Sequence, residues 1–255
     1  MIELQHNRLV FSFPQVHEAA QCTIDFQRTL RIPDDNRDYP LPPGLNKFPL
    51  QHVEDHAKRL PEKWQQHGGV LLPMYQSEAM WLNFGAGRGH HELRYPFAIK
   101  IAAGKINAVT GAGWDNALQR EPQDYVVLPE QPWLDGFCVQ KGLIRQFVAM
   151  PLGAGYSAEE QLTGAAEHGG LQIIAYPMKR ERYEAMVREH ENQPMFQRCM
   201  DSVMHCEEVS DSAMGLAPGG LMRQNIHEDK YGFDAWDTSQ ASRCFVHILN
   251  SEQWQ

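Results

Sequence analysis

His52 and His56, in the string HVEDH, lie four residues apart, the spacing at which one helix face could offer two metal ligands. A zincin-type site would need Glu directly after the first histidine. Here that position is Val53, so a solvated polar helix face competes with the metal reading. His90 and His91 are adjacent, and on extended backbone neighbouring side chains point to opposite sides, so they do not readily share an ion. His227, Glu228 and Asp229 make an acidic turn that lacks the longer alternation of oxygen ligands in a calcium loop.

A second group of residues is basic and aromatic. FAIKIA and KINAVT read as a hairpin turning at Ala103-Gly104, which sets Lys100 and Lys105 roughly opposite each other. Arg145 interrupts the next predicted hairpin, FCV–QKG–LIRQFVAM, and PEQPWLDG places Trp133 and Asp135 between the two. Charged side chains within strands belong on a solvated face or in a cleft, because burying them unpaired is expensive. The first reading is a solvated sheet face. The second is a cleft for an anionic or sugar-like small-molecule ligand, lined by Lys100, Lys105 and Arg145, with Trp133 stacking and Asp135 orienting.

Other familiar chemistry is missing from the string. The glycine clusters GAGRG, GAGY and MGLAPGG match neither GxxxxGK[ST] nor a strand-to-helix GxGxxG, and they read as turns. There is no GxSxG elbow. The five cysteines, Cys22, Cys138, Cys199, Cys206 and Cys244, are odd in number and widely spaced with no CxxC, which favours free thiols in a reducing compartment. Cys138, between Phe137 and Val139 in a predicted strand, reads as a core thiol rather than a nucleophile. No cofactor is assigned by these residues.

The elements that must carry these side chains are mostly short strands. CTIDFQRTLRI alternates with period two, placing Ile24, Phe26, Leu30 and Ile32 on one face and Thr23, Asp25, Gln27, Thr29 and Arg31 on the other, with Arg28 as the interruption. Proline and glycine between Pro33 and Gly44 then suit a stiff surface strap, near 33–49, rather than a linker. Val53, Ala57, Leu60 and Trp64 give a helical stripe over Leu50–His67, divided or kinked by Pro61 and closed by Gly68-Gly69. VLLPMY, AMWLNF, GGLQIIAYP, LMRQNI and CFVHILN read as further strands. KRERYEAMVREHE and Met195–Val209 read as helices. The expected fold is a single β-rich α+β domain of antiparallel sheets, sandwich or open barrel, with two or three helices.

Composition narrows the function classes. Apolar residues at 42% suffice for a core, and the net charge of −9 argues against a nucleic-acid partner. The N-terminus, with Glu3 and no basic region before an apolar one, does not read as a signal peptide. No uncharged run approaches the roughly 20 apolar residues of a spanning helix; Gln146–Ala158, for instance, is also broken by Pro151, Gly153 and Gly155. The expected location is the cytoplasm, away from membranes.

The strings IDFQRTLRIPDD, YPLPPGL, GGVLLPMYQSEAMWLNF, KINAVTG, PQDYVVLPEQPWLDGF, IRQFVAMPLGAGY and MGLAPGG resemble a group of uncharacterised bacterial and fungal proteins, over most of the chain from Ile24 to Trp254. Some of that group are labelled "integral membrane protein", a label at odds with the hydropathy of this chain. The resemblance implies chains that continue past the final SEQWQ, and it brings no activity, cofactor or catalytic residue. Two functional readings stand: a binding or structural module using a cleft between hairpins, and an enzyme of unrecognised type, hydrolase or metal-assisted, whose residues the fold gathers from afar.

Overall fold

The computed structural model describes residues 1–33, 35, 37–40, 42–87, 93–140, 142–152, 164, 169–192 and 221–253. Their strands are, in chain order, β1 (Ile2–Leu4), β2 (Leu9–Ser12), β3 (Gln21–Thr29), β4 (Asp38–Tyr39), β5 (Asn46–Lys47), β6 (Gln51–His52), β7 (Val70–Met74), β8 (Ala79–Ala86) and β9 (Phe97–Ala103). They continue with β10 (Ile106–Asn107), β11 (Val126–Leu128), β12 (Trp133–Leu134), β13 (Gly136–Gln140), β14 (Leu143–Val148), β15 (Leu171–Pro177), β16 (Leu221–Arg223) and β17 (Ser242–Asn250). Two α-helices accompany them, α1 (Glu62–His67) and α2 (Arg180–Asn192).

These strands form two open sheets. The ten-stranded sheet runs β1-β2-β3-β8-β14-β16-β4, with β5, β12 and β13 attached beside it; the seven-stranded sheet runs β10-β9-β15-β17-β7-β6, with β11 attached to β9. Pairing is antiparallel except at β16–β4 and β17–β7. Residues of both sheets meet in one hydrophobic cluster, with Ile24, Phe26, Leu82 and Leu134 from the larger and Phe97, Ile99, Ile173 and Val246 from the smaller. This is the β-rich α+β arrangement expected, and among the described residues the sheets do not close into a barrel. No helix among the described residues is long and apolar enough to cross a membrane.

Local sequence explains most of the elements. The period-two face of β3 puts Cys22, Ile24 and Phe26 into the core at 0% exposure. Pro61 divides the helical stripe as its missing N–H requires: a 3-10 turn at Glu54–Arg59 ends before it and α1 begins after it. His52 accordingly sits on β6 and His56 on the 3-10 turn, so the shared helix face proposed for the pair does not form. Helix α2 buries Tyr183 and packs Met186 and Val187 against the core, as its stripe predicts. His90, His91, Cys199, Cys206, the clusters GAGY and MGLAPGG, and the helix expected at Met195–Val209 lie outside the described residues.

The β9–β10 hairpin corrects one placement. Ala103 pairs with Ile106, so the turn is Gly104-Lys105, one residue later than Ala103-Gly104. Gly104 has φ +59°, the left-handed value that the first central position of a type II′ turn demands. Lys105 is therefore exposed in the turn itself and does not face Lys100.

Lys100 is fully buried. Its Nζ lies 2.5 Å from Asp124 Oδ2, donates to the carbonyl of Ala117, and stands 5.1 Å from the centroid of the Trp114 ring. Asp124 in turn accepts from the backbone N–H of Gln119, so this ion pair pegs the segment between β10 and β11 onto β9. Removing one member of such a pair leaves an uncompensated buried charge. Lys100→Ala is expected to lower unfolding stability by about 3–5 kcal/mol in chemical denaturation; a loss below about 1 kcal/mol would show that the pair is not a peg.

Candidate functional site

The outer, non-core face of the ten-stranded sheet gathers polar side chains by register alone. Asp25 of β3 pairs with Asn83 of β8, and Asn83 pairs with Trp133 of β12. Because Ile24, Leu82 and Leu134 point into the core, their neighbours Asp25, Asn83 and Trp133 share the opposite face. The next row on that face runs from Lys47 through Gln27 to Trp81.

Asp25 closes one end of this face. It is 1% exposed, yet it accepts from Arg8 Nε at 3.1 Å, from Asn83 Nδ2 at 3.2 Å and from Gln27 Nε2, and lies 3.6 Å from Lys47 Nζ. Arg8 and Lys47 thus both lean on this one carboxylate.

Asp135 is treated differently. It falls between β12 and β13, where the chain leaves β8 and turns to pair with β14. Gly136 permits the turn: a Cβ there would lie 1.9 Å from the carbonyl oxygen of Arg145, so only glycine fits. Two buried glutamines fix the backbone on either side. Gln224 accepts from the Asp135 N–H at 3.0 Å and donates to the Trp133 carbonyl at 3.1 Å, while Gln131 donates to that carbonyl at 3.0 Å and accepts from the His227 N–H. Trp133 Nε1 then donates to Asp135 Oδ2 at 3.2 Å. The second carboxyl oxygen, Oδ1, is buried without a hydrogen-bond partner, and the residue is only 3% exposed. Burial, only partly offset by the indole N–H, raises the Asp135 carboxyl to about 7.

Of the five residues selected from sequence, the fold brings together Trp133 and Asp135. Lys100 belongs to the other sheet, and its contacts (Ala117, Asp124, Trp114) share no member with those of Trp133 and Asp135. Lys105 is in the β9–β10 turn. Arg145 is exposed on β14 and alternates with Gln146, so it leaves the strand on the side away from Gln146. Asp25, Asn83, Gln131 and Gln224 escaped the sequence reading. The alternation in CTIDFQRT and AMWLNF does carry the signal for the first two; nothing local marks the glutamines, whose partners are remote in sequence.

Cys22 and Cys244 are buried, and desolvation pushes both thiols up, that of Cys244 to about 12. Cys138 is half-buried on β13. Among the described residues no group of three or more His, Cys, Asp or Glu side chains is placed to hold a metal ion. Comparison with family models, curated proteins and solved structures found no match, so the chemistry of this face rests on its own geometry.

The raised carboxyl has a signed consequence. Between the unfolded value near 3.9 and about 7 the folded chain holds a proton on Asp135 that the unfolded chain has lost, so stability falls as pH rises through that window and levels off above it. Asp135→Asn cannot ionise and is expected to gain on the parent protein across the same window, by at most roughly 4 kcal/mol in denaturation midpoints taken from pH 4 to pH 8. A difference that stays flat with pH would contradict the buried-acid account.

Proposed function

We propose that this chain is a binding module whose ligand is neutral and rich in hydroxyl groups, of the sugar-like class, held on the outer face of the ten-stranded sheet beside Trp133 and Asp135. The supporting observation is the Asp135 carboxyl, with one oxygen held by the Trp133 indole and the other buried and unpartnered. A hydroxyl group gives that oxygen a hydrogen-bond partner whether the carboxyl is protonated or ionised, because a hydroxyl both donates and accepts. A half-buried indole next to a carboxyl also suits a ring that shows C–H bonds on one face and hydroxyls at its edge.

An anionic ligand receives less support. Arg8 and Lys47 are drawn to Asp25, and Lys100 is consumed by Asp124. An enzymatic reading would need a second titratable group within hydrogen-bond reach of Asp135, and the contacts described for it are an indole, a glutamine and backbone. The free thiols of Cys22 and Cys244 favour the reducing cytoplasm as the place of work, and the charge of −9 favours a partner other than nucleic acid.

Calorimetric titration with the neutral methyl glycosides of glucose, galactose and mannose tests the reading. At least one is expected to bind, and Trp133→Ala, checked for folding by circular dichroism, is expected to weaken it roughly tenfold or more through lost ring contact. Failure of all three to bind, or binding indifferent to Trp133, would overturn it.

A further inference from the structure

A second unsatisfied atom lies at the same strand junction. Trp81 is the β8 residue left between two ladders: Leu82 pairs with Leu134 of β12, and Met80 pairs with Phe147 of β14. Asp135 follows Leu134, Gln146 precedes Phe147, and the Phe147 N–H approaches the Asp135 carbonyl at 3.4 Å. Trp81, Asp135 and Gln146 are thus the three residues at the fork where β12 gives way to β14 as the neighbour of β8. Gln146 is satisfied, since it accepts from the Ile32 N–H at 2.9 Å and donates to the Leu30 carbonyl at 2.9 Å. Trp81 Nε1 is not: it is buried and has no hydrogen-bond partner.

The strap closes over this fork. Thr29 Oγ1 donates towards the carbonyls of Pro42 and Pro43, and Gly44 lies so close that a Cβ there would stand 3.2 Å from Cζ2 of the Trp81 ring. Bulk water is therefore kept from the indole N–H on the strap side. A buried donor and a buried acceptor, each without a partner, destabilise the fold unless something satisfies both.

We infer that Trp81 Nε1 and Asp135 Oδ1 form a two-point recognition site for a single hydroxyl group, which accepts from the indole and donates to the carboxylate. This rests on the sugar-like reading above and adds to it the atoms that select the ligand. The selected ligand has a hydroxyl projecting from its ring edge into the fork; a ligand lacking that hydroxyl leaves both atoms unsatisfied and is discriminated against.

The test uses the intact chain and whichever methyl glycoside binds it, titrated alongside the deoxy analogues of that same glycoside. Trp81→Phe keeps an aromatic ring under Gly44 and removes the N–H. It is expected to weaken the glycoside roughly three- to tenfold, the range of one net hydrogen bond, while leaving the affinity of one particular deoxy analogue unchanged. Asp135→Asn, a second variant at the other end of the site, is expected to narrow the preference for the parent glycoside over that analogue. If the glycoside binds through Trp133 but Trp81→Phe changes neither affinity nor preference, the fork holds only water, and this inference fails while the binding module stands. If no glycoside binds the parent chain, the inference and the reading it rests on fail together.

Discussion

A carboxyl group withdrawn from water must be neutralised, hydrogen-bonded or protonated, and the outer face of the larger sheet is organised around how this is met at Asp135. Its position follows from sheet topology. The chain pairs with β8 through Trp133 and Leu134, then departs at a glycine that lets the backbone come against β14, and the residue at that departure is an aspartate. Gln131 and Gln224 hold the flanking peptide groups, which fixes the carboxyl against the Trp133 indole. One oxygen is satisfied by this arrangement and one is not.

The other buried charges show the contrast. Lys100 and Asp124 are a closed pair, with a carbonyl and a backbone N–H completing them. Asp25 has four polar neighbours and so anchors the residue before β2, together with β5 and β8, around β3. Asp229, though only half-buried, likewise accepts from Tyr125 Oη, Trp236 Nε1 and two backbone N–H groups. These are solved electrostatic problems, and they hold the fold together. Among the described residues of this face, Asp135 and Trp81 each keep a buried polar atom without a partner, and the proposed ligand is one whose groups donate and accept at once.

What the sequence could reveal divides along physical lines. Period-two alternation made β3 and its core face legible, and the same rule places Asp25 outward, although it cannot say that an outward aspartate will be buried beneath Arg8 and Lys47. Pro61 announced the break before α1. The hairpin at Gly104 was visible, but its register was displaced by one residue, because a glycine can occupy either central position of a tight turn and only strand pairing decides. That single step carried Lys105 into the turn. Lys100 looked like a surface or cleft charge because its counter-ion, Asp124, lies beyond the next strand in a loop with no periodic pattern. The nearness of Trp133 and Asp135 was local and readable; the fork that brings Trp81 beside them depends on pairing across β8, β12 and β14, which no local pattern encodes.

The most direct measurement is a high-resolution crystal structure of the chain grown with a neutral methyl glycoside that it binds. The sugar ring is expected against Trp133, with one hydroxyl oxygen within hydrogen-bond distance of both Asp135 Oδ1 and Trp81 Nε1. A sugar seated elsewhere, with Asp135 Oδ1 bonded to a protein group instead, would contradict it.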